Sequence, residues 1–154
     1  MLIVSSFATD TAQFLQSNGF GTIGENIFVN VAPQNILNKS IIVVYDIQSY
    51  RPIQPIHHIE ESSISIQTYS NDNFYNFNTL NNIIYSLIDS NITINCNRYL
   101  GIYCETTPNI VKLNDKTGQL IYSTTLRCLR TNKSNLIQLE ITSSSIIECN
   151  ITIA

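Results

Sequence analysis

The chain has no tryptophan, one methionine and two histidines in 154 residues, and only 12% of it is charged. A soluble globular chain usually carries about twice that charge. The two histidines, His57 and His58, are adjacent, so any imidazole chemistry is confined to one neighbourhood. Neighbouring side chains on an extended segment point to opposite faces, which keeps the two rings from sharing a ligand position. Zinc sites favour spacings such as H-x3-H or paired cysteines. The four cysteines, Cys96, Cys104, Cys128 and Cys149, are 8, 24 and 21 positions apart and form no C-x-x-C. They read as small buried hydrophobes kept reduced. The eight basic residues are scattered, with no Lys/Arg cluster to follow a phosphate backbone, which argues against nucleic-acid binding as the primary activity. No stretch approaches the roughly 20 apolar residues of a membrane span. Residues 1–6 have no basic region, so no secretory signal is expected.

Enzyme signatures are missing as well. A Ser, Thr or Cys nucleophile needs a base within hydrogen-bond reach, and a histidine base could come only from the 57–58 pair. There is no G-x-S-x-G elbow. Gly19-Phe20-Gly21-Thr22-Ile23-Gly24 matches G-x-G-x-x-G in letters. It follows a helix and precedes a strand, the reverse of the context that phosphate binding requires. No catalytic, cofactor-binding or metal-binding residue is assigned, and the chain is not expected to be an enzyme.

What is present is polarity carried by Asn, Ser, Thr and Gln, with abundant Ile. Phe7–Asn18 reads as a first helix, with Ser5 or Ser6 as N-cap and Asp10 in its first turn. Gly19 ends it. Asn26–Val31 and Ile41–Ile47 read as strands, the second apolar enough to be central. Gln48–Glu61 contains Pro52 and Pro55 and reads as an extended arm or a pair of ragged edge strands. Ile53, Ile56 and Ile59 make this arm apolar for a loop, so something should cover it. Ser63–Tyr69 alternates cleanly, with Ile64 and Ile66 facing one way. A second helix runs from about Asn73 to Asp89, with Phe74, Phe77, Leu80, Ile84, Leu87 and Ile88 inward and Asn76, Asn78, Asn82 and Ser86 opposite. Strands follow at Tyr99–Thr106, Ile110–Leu113 and Leu120–Arg130. A terminal hairpin is expected over Leu136–Thr142 and Ile146–Ile153. The eight tyrosines fit packing positions better than a ligand platform.

The expected fold is α+β: a mainly antiparallel sheet with two helices on one face, a long arm between the second and third strands, and an extra C-terminal β-hairpin. Residues 1–154 are expected to form a single domain, a core over 7–130 and an extension over 131–154.

Residues 14–29, from Phe14-Leu15-Gln16-Ser17-Asn18-Gly19 to Asn26-Ile27-Phe28-Val29, resemble the opening of tail terminator (minor capsid or tail-completion) proteins of long-tailed bacteriophages. Pro33 followed by Ile41-Ile42-Val43-Val44-Tyr45-Asp46 looks like that family's second strand. The Pro108-Asn109 and Asp115-Lys116-Thr117-Gly118 turns also agree. Gln48-Ser49-Tyr50-Arg51-Pro52 departs from the pattern, since relatives often carry glycines there. The resemblance implies a homo-oligomer, a hexameric ring that stops the tail tube and joins it to the head-neck connector or head-closure protein. DNA would pass only as cargo through the lumen, with no membrane and no cofactor involved. A ring needs two different complementary surfaces on each copy. The candidate subunit-interface residues are Tyr50, Arg51, Pro52, Ile53, Pro55, Ile56 and Ile59. The rival readings are another neck or tail structural protein (head closure or tube), and a small binding module or an enzyme with an unrecognised site.

Overall fold

The computed structural model describes residues 5–34, 39–53, 59–88, 92–95, 97–114, 119–131 and 152–153. The elements in chain order are α1 (Phe7–Ser17), β1 (Ile27–Val29), β2 (Ile41–Pro52), β3 (Ile59–Ser70), α2 (Asn73–Ile88), β4 (Ile92–Ile94), β5 (Asn97–Cys104), β6 (Asn109–Asn114), β7 (Gln119–Thr131) and β8 (Thr152–Ile153). The fold is α+β.

Local chemistry explains the ends of α1. The Ser6 hydroxyl accepts the Thr9 N–H at 3.2 Å, and Asp46 Oδ1 on β2 accepts the Ala8 N–H at 3.1 Å. Both satisfy donors that a helix start leaves open. At the other end Gly19 takes φ +78°, which costs a glycine little.

The strands order as β1-β2-β3-β7-β5-β4-β8, with β6 also on β7. All pairs are antiparallel except β1–β2, where Ile27, Phe28 and Val29 run parallel to Ile42, Val43 and Val44. The stretch between Val29 and Ile41 is close to the dozen residues a parallel return needs, and the sheet is mainly antiparallel, as expected. The centre of the sheet is β7. One of its edges pairs with β3 from Leu120 to Thr131, while the other is shared by β6 and then β5.

Both helices cover one face. Phe7, Phe14 and Leu15 of α1, with Leu80, Ile83 and Leu87 of α2, pack on Ile42, Val44, Ile64, Ile66 and Leu126. Each such side chain contributes roughly 1.5–3 kcal/mol on burial. The opposite face holds a smaller cluster of Ile41, Val43 and Tyr69.

The stretch read as an extended arm or a pair of ragged edge strands is, over its described residues, a pair of irregular strands: β2 continues to Pro52 and β3 begins at Ile59, with irregular register between Asp46, Gln48 and Arg51. Pro52 is tolerated because it closes the strand at a sheet margin. The α2 face is rotated from the expected one. Asn76 is buried and donates to the Leu120 carbonyl at 2.8 Å, while Phe74, Phe77 and Ile88 are exposed. The hydrogen bond satisfies the buried Asn76 amide, which would otherwise carry a desolvation cost. The expected terminal hairpin lies outside the described residues apart from Thr152–Ile153, which pair with Ile92 and Thr93 of β4. No helix among the described residues is long and apolar enough to cross a membrane.

Candidate assembly hairpin and its buried clamp

The proposed interface residues fall on the hairpin that β2 and β3 form. Its two strands continue past β1, which covers only Ile42–Val44 of β2. Arg51 pairs in register with Glu61 and Pro52 with Glu60, and the Ile53 N–H donates to the Ile59 carbonyl at 3.0 Å. Arg51 is exposed and donates to Glu61 at 3.0 Å, while Ile53 and Ile59 are half-buried. Pro55, Ile56, His57 and His58 lie outside the described residues. Tyr50 differs from the rest of the set: it packs inward against the core.

Tyr50 meets a buried polar cluster that binds the turn end of the hairpin to the rest of the sheet. The Arg130 guanidinium lies 3.1 Å from the Tyr50 ring centroid, a close cation–π contact. Its Nη1 donates to the Ser5 carbonyl at 2.9 Å, and its Nε reaches Glu60 Oε2 on β3 at 3.4 Å. Asp10 Oδ2 of α1 is 3.9 Å from the same Nη1. The two Asp10 oxygens also accept from Asn95 at 2.8 Å, from Asn97 at 2.7 Å and from the Tyr99 hydroxyl. Because Tyr99 donates to Asp10, the 3.1 Å contact between the two tyrosine hydroxyls has Tyr50 as donor.

Asp10 and Arg130 are 0% and 1% exposed. A buried charge is tolerated only when paired and hydrogen-bonded, and each is. The cluster therefore joins α1, the β4–β5 turn, β7 and the turn end of the hairpin. Burial pushes the hydroxyls of Tyr50 and Tyr99 far above the ordinary tyrosine range, and the Cys128 thiol beside them up to about 12. A thiol raised this way is a poor nucleophile. At this depth neither Asp10 nor Tyr99 can reach a substrate, so the arrangement is suited to holding shape.

The surface of the hairpin carries a second, solvent-facing set of charges. Glu61 accepts from Arg51 and, at 3.2 Å, from Arg127 of β7, which also pairs with Glu105 at 3.5 Å. The hydrogen bond from Arg51, helped by Arg127, holds the Glu61 carboxyl below its usual value. Among the described residues no group of three or more His, Cys, Asp or Glu could hold a metal. A partly open hollow between β2, β3 and the start of α2, near Ser40, Thr68 and Asn76, measures about 50 Å³, and a wider, more open one lined by Gly24, Glu25, Phe28, Pro33, Lys39 and Ile41 measures about 490 Å³. The first is below the roughly 300–1,000 Å³ of small-molecule sites, and the second is open where such sites enclose most of their ligand.

Sequence reasoning missed Arg130, Asn97 and Tyr99. One signal was available: Arg130 stands in phase with Leu126 and Cys128, on the buried side of an alternating strand. An arginine at that position requires an acidic partner.

No family model matches this chain, and neither does any curated protein. A solved chain does share its fold. That chain belongs to the virion of a native gene transfer agent (GTA) particle, and it superposes with a TM-score of 0.62 at 8% identity, over 82% of this chain and 96% of that one.

Proposed function

We propose that this chain is a structural virion subunit, a tail terminator that closes into a hexameric ring on a phage-type tail tube. The ring stops tube growth and joins the tube to the head-neck connector or head-closure protein, with DNA passing through its lumen as cargo. The observation that carries the reading is the fold shared with a gene transfer agent virion chain across 96% of that chain. The sequence resemblance to tail terminators supports the finer assignment. So does the absence of reachable chemistry at Asp10, Tyr99 and Arg130, whose burial favours a rigid building block over an enzyme. On this reading the protein resides in the neck or tail of the virion after assembly in the host cytoplasm.

The contact between copies involves Arg51, Pro52, Ile53, Pro55, Ile56 and Ile59, with Tyr50 anchoring the hairpin from beneath. Replacing residues 54–58 by a Gly-Ser turn of equal length tests this assignment. The fold should survive, and particles assembled with the variant should show overgrown tubes and unjoined heads. Tubes of normal length joined to heads would refute it.

A further inference from the structure

The helix α2 carries a second apolar stripe that the sheet does not use. Phe74, Phe77, Tyr85 and Ile88 occur at i, i+3, i+11 and i+14, which places them within one arc of an α-helix, with Asn81 between the two pairs. All four are exposed, Phe74 at 78% and Tyr85 at 63%. The helix has no charged residue at any position, so nothing on it steers a phosphate or a charged ligand. The stripe continues onto the sheet. Phe77 packs edge-on against Tyr122 with centroids 5.7 Å apart, and Tyr122 pairs with the exposed Ile110 on β6. No strand among the described residues pairs with the outer edge of β6.

Size decides whether this patch requires a partner. At 150–250 Å² per aromatic side chain, the exposed part of the stripe comes to roughly 400 Å². Isolated exposed apolar residues are ordinary, but a contiguous patch of a few hundred Å² marks an interaction site. It is about half of the ~800 Å² that one partner contributes to a stable interface, and it would form that interface's apolar centre.

The chain carries a matching surface on the opposite side of the same sheet. Val31 is 67% exposed and Ile47 is 56% exposed. The residues before them are bonded to each other: Asn30 Nδ2 donates to Asp46 Oδ2 at 3.0 Å, and the Asp46 backbone N–H donates to Asn30 Oδ1 at 2.8 Å. They sit at the β1–β2 margin, whereas β6 lies beyond β7. Strand directions suit a head-to-tail contact. β1 is parallel to β2, β2 is antiparallel to β3, β3 to β7 and β7 to β6, so β6 runs opposite to β1. Two copies placed side by side with the same end up therefore bring antiparallel edges together.

We infer that the α2 flank and β6 edge (Phe74, Phe77, Tyr85, Ile88, Ile110) form the receiving surface for a second copy of this chain, which docks its Val31–Ile47 margin there. This deepens the ring reading and rests on it: each copy of a closed heterologous assembly needs two unlike surfaces, and the docking margin continues along β2 from Ile47 into the Arg51–Ile53 contact.

A mixing experiment tests the inference. Tyr85→Lys breaks the receiving surface and Ile47→Lys the docking one, and both positions are exposed enough for the fold to stand, checked by circular dichroism. Each variant alone should be monomeric by native mass spectrometry. Their equimolar mixture should form a 1:1 pair, since one intact surface of each kind remains. Rings that persist in Tyr85→Lys would overturn the receiving surface and leave the ring reading intact. Variants that stay monomeric when mixed would overturn the head-to-tail pairing. Wild-type chains that form open fibres through these surfaces would support the pairing and sink the ring. A wild type that never self-associates would sink both.

Discussion

The Arg130 guanidinium lies 3.1 Å from the ring centroid of Tyr50, and so ties the end of β7 to the strand that forms one side of the hairpin. The same side chain bonds the Ser5 carbonyl and pairs with Glu60 and Asp10. Four segments distant in sequence thus converge on one buried cation.

Removing that cation should be costly. Arg130→Met leaves Asp10 fully buried and Glu60 largely so, both without their counter-charge, and breaking a buried pair from one side costs about 3–5 kcal/mol. Arg130→Lys keeps the charge but loses the planar fork and the stacking on Tyr50, so it should recover only part of the loss. Urea unfolding of the three proteins gives the comparison, and a wild-type midpoint for Arg130→Met would contradict the clamp.

Tyr99→Phe removes the hydroxyl donor to Asp10 and the acceptor that Tyr50 uses. An unsatisfied buried polar group costs about 1–3 kcal/mol. The expected result is a loss of that size with an unchanged denaturant slope, because the hydrophobic packing stays intact.

Much of the framework was legible in the sequence, and the reasons for the misses are physical. Ser6, Asp10 and Gly19 marked α1 because caps are local, and Ile64 with Ile66 marked β3 because alternation is local. The stretch Gln48–Glu61 read as an extended arm or ragged edge strands because its prolines and polar residues discourage a regular strand. Gln48–Pro52 is held by pairing with Glu60, Glu61 and Ser63 across the hairpin. The Asp10–Arg130 pair spans most of the chain, and no local rule joins two such residues. Among the described residues of the candidate interface, the inward turn of Tyr50 lay beyond the reach of periodicity.

The Asn76 amide offers a test of the rotated helix. Asn76→Ala deletes its bond to the Leu120 carbonyl and should cost about 1–3 kcal/mol. Asn82→Ala, on the exposed side of the same helix, should fall within about 0.5 kcal/mol of wild type. Equal effects at the two positions would mean that Asn76 does not face the sheet.

Glu61 sets an acid-sensitive element on the hairpin. Its carboxyl is held below an ordinary value of about 4.5, chiefly by Arg51. Because the folded value lies below the unfolded one, the stabilisation is fully present above pH about 4.5. It is lost as pH falls through the folded value. The arginines are well exposed, so the effect should be about 0.2–1 kcal/mol. Glu61→Gln should flatten the stability curve below that pH and weaken the protein slightly at neutral pH. An unchanged acid limb would remove Glu61 from the account.

The central claim is that this chain builds an assembly. Native mass spectrometry of the purified protein over a range of concentrations, paired with negative-stain images, tests it most directly. The account predicts a closed six-copy species seen as a ring with a central opening. A chain that remains monomeric at the highest concentration reached would contradict it.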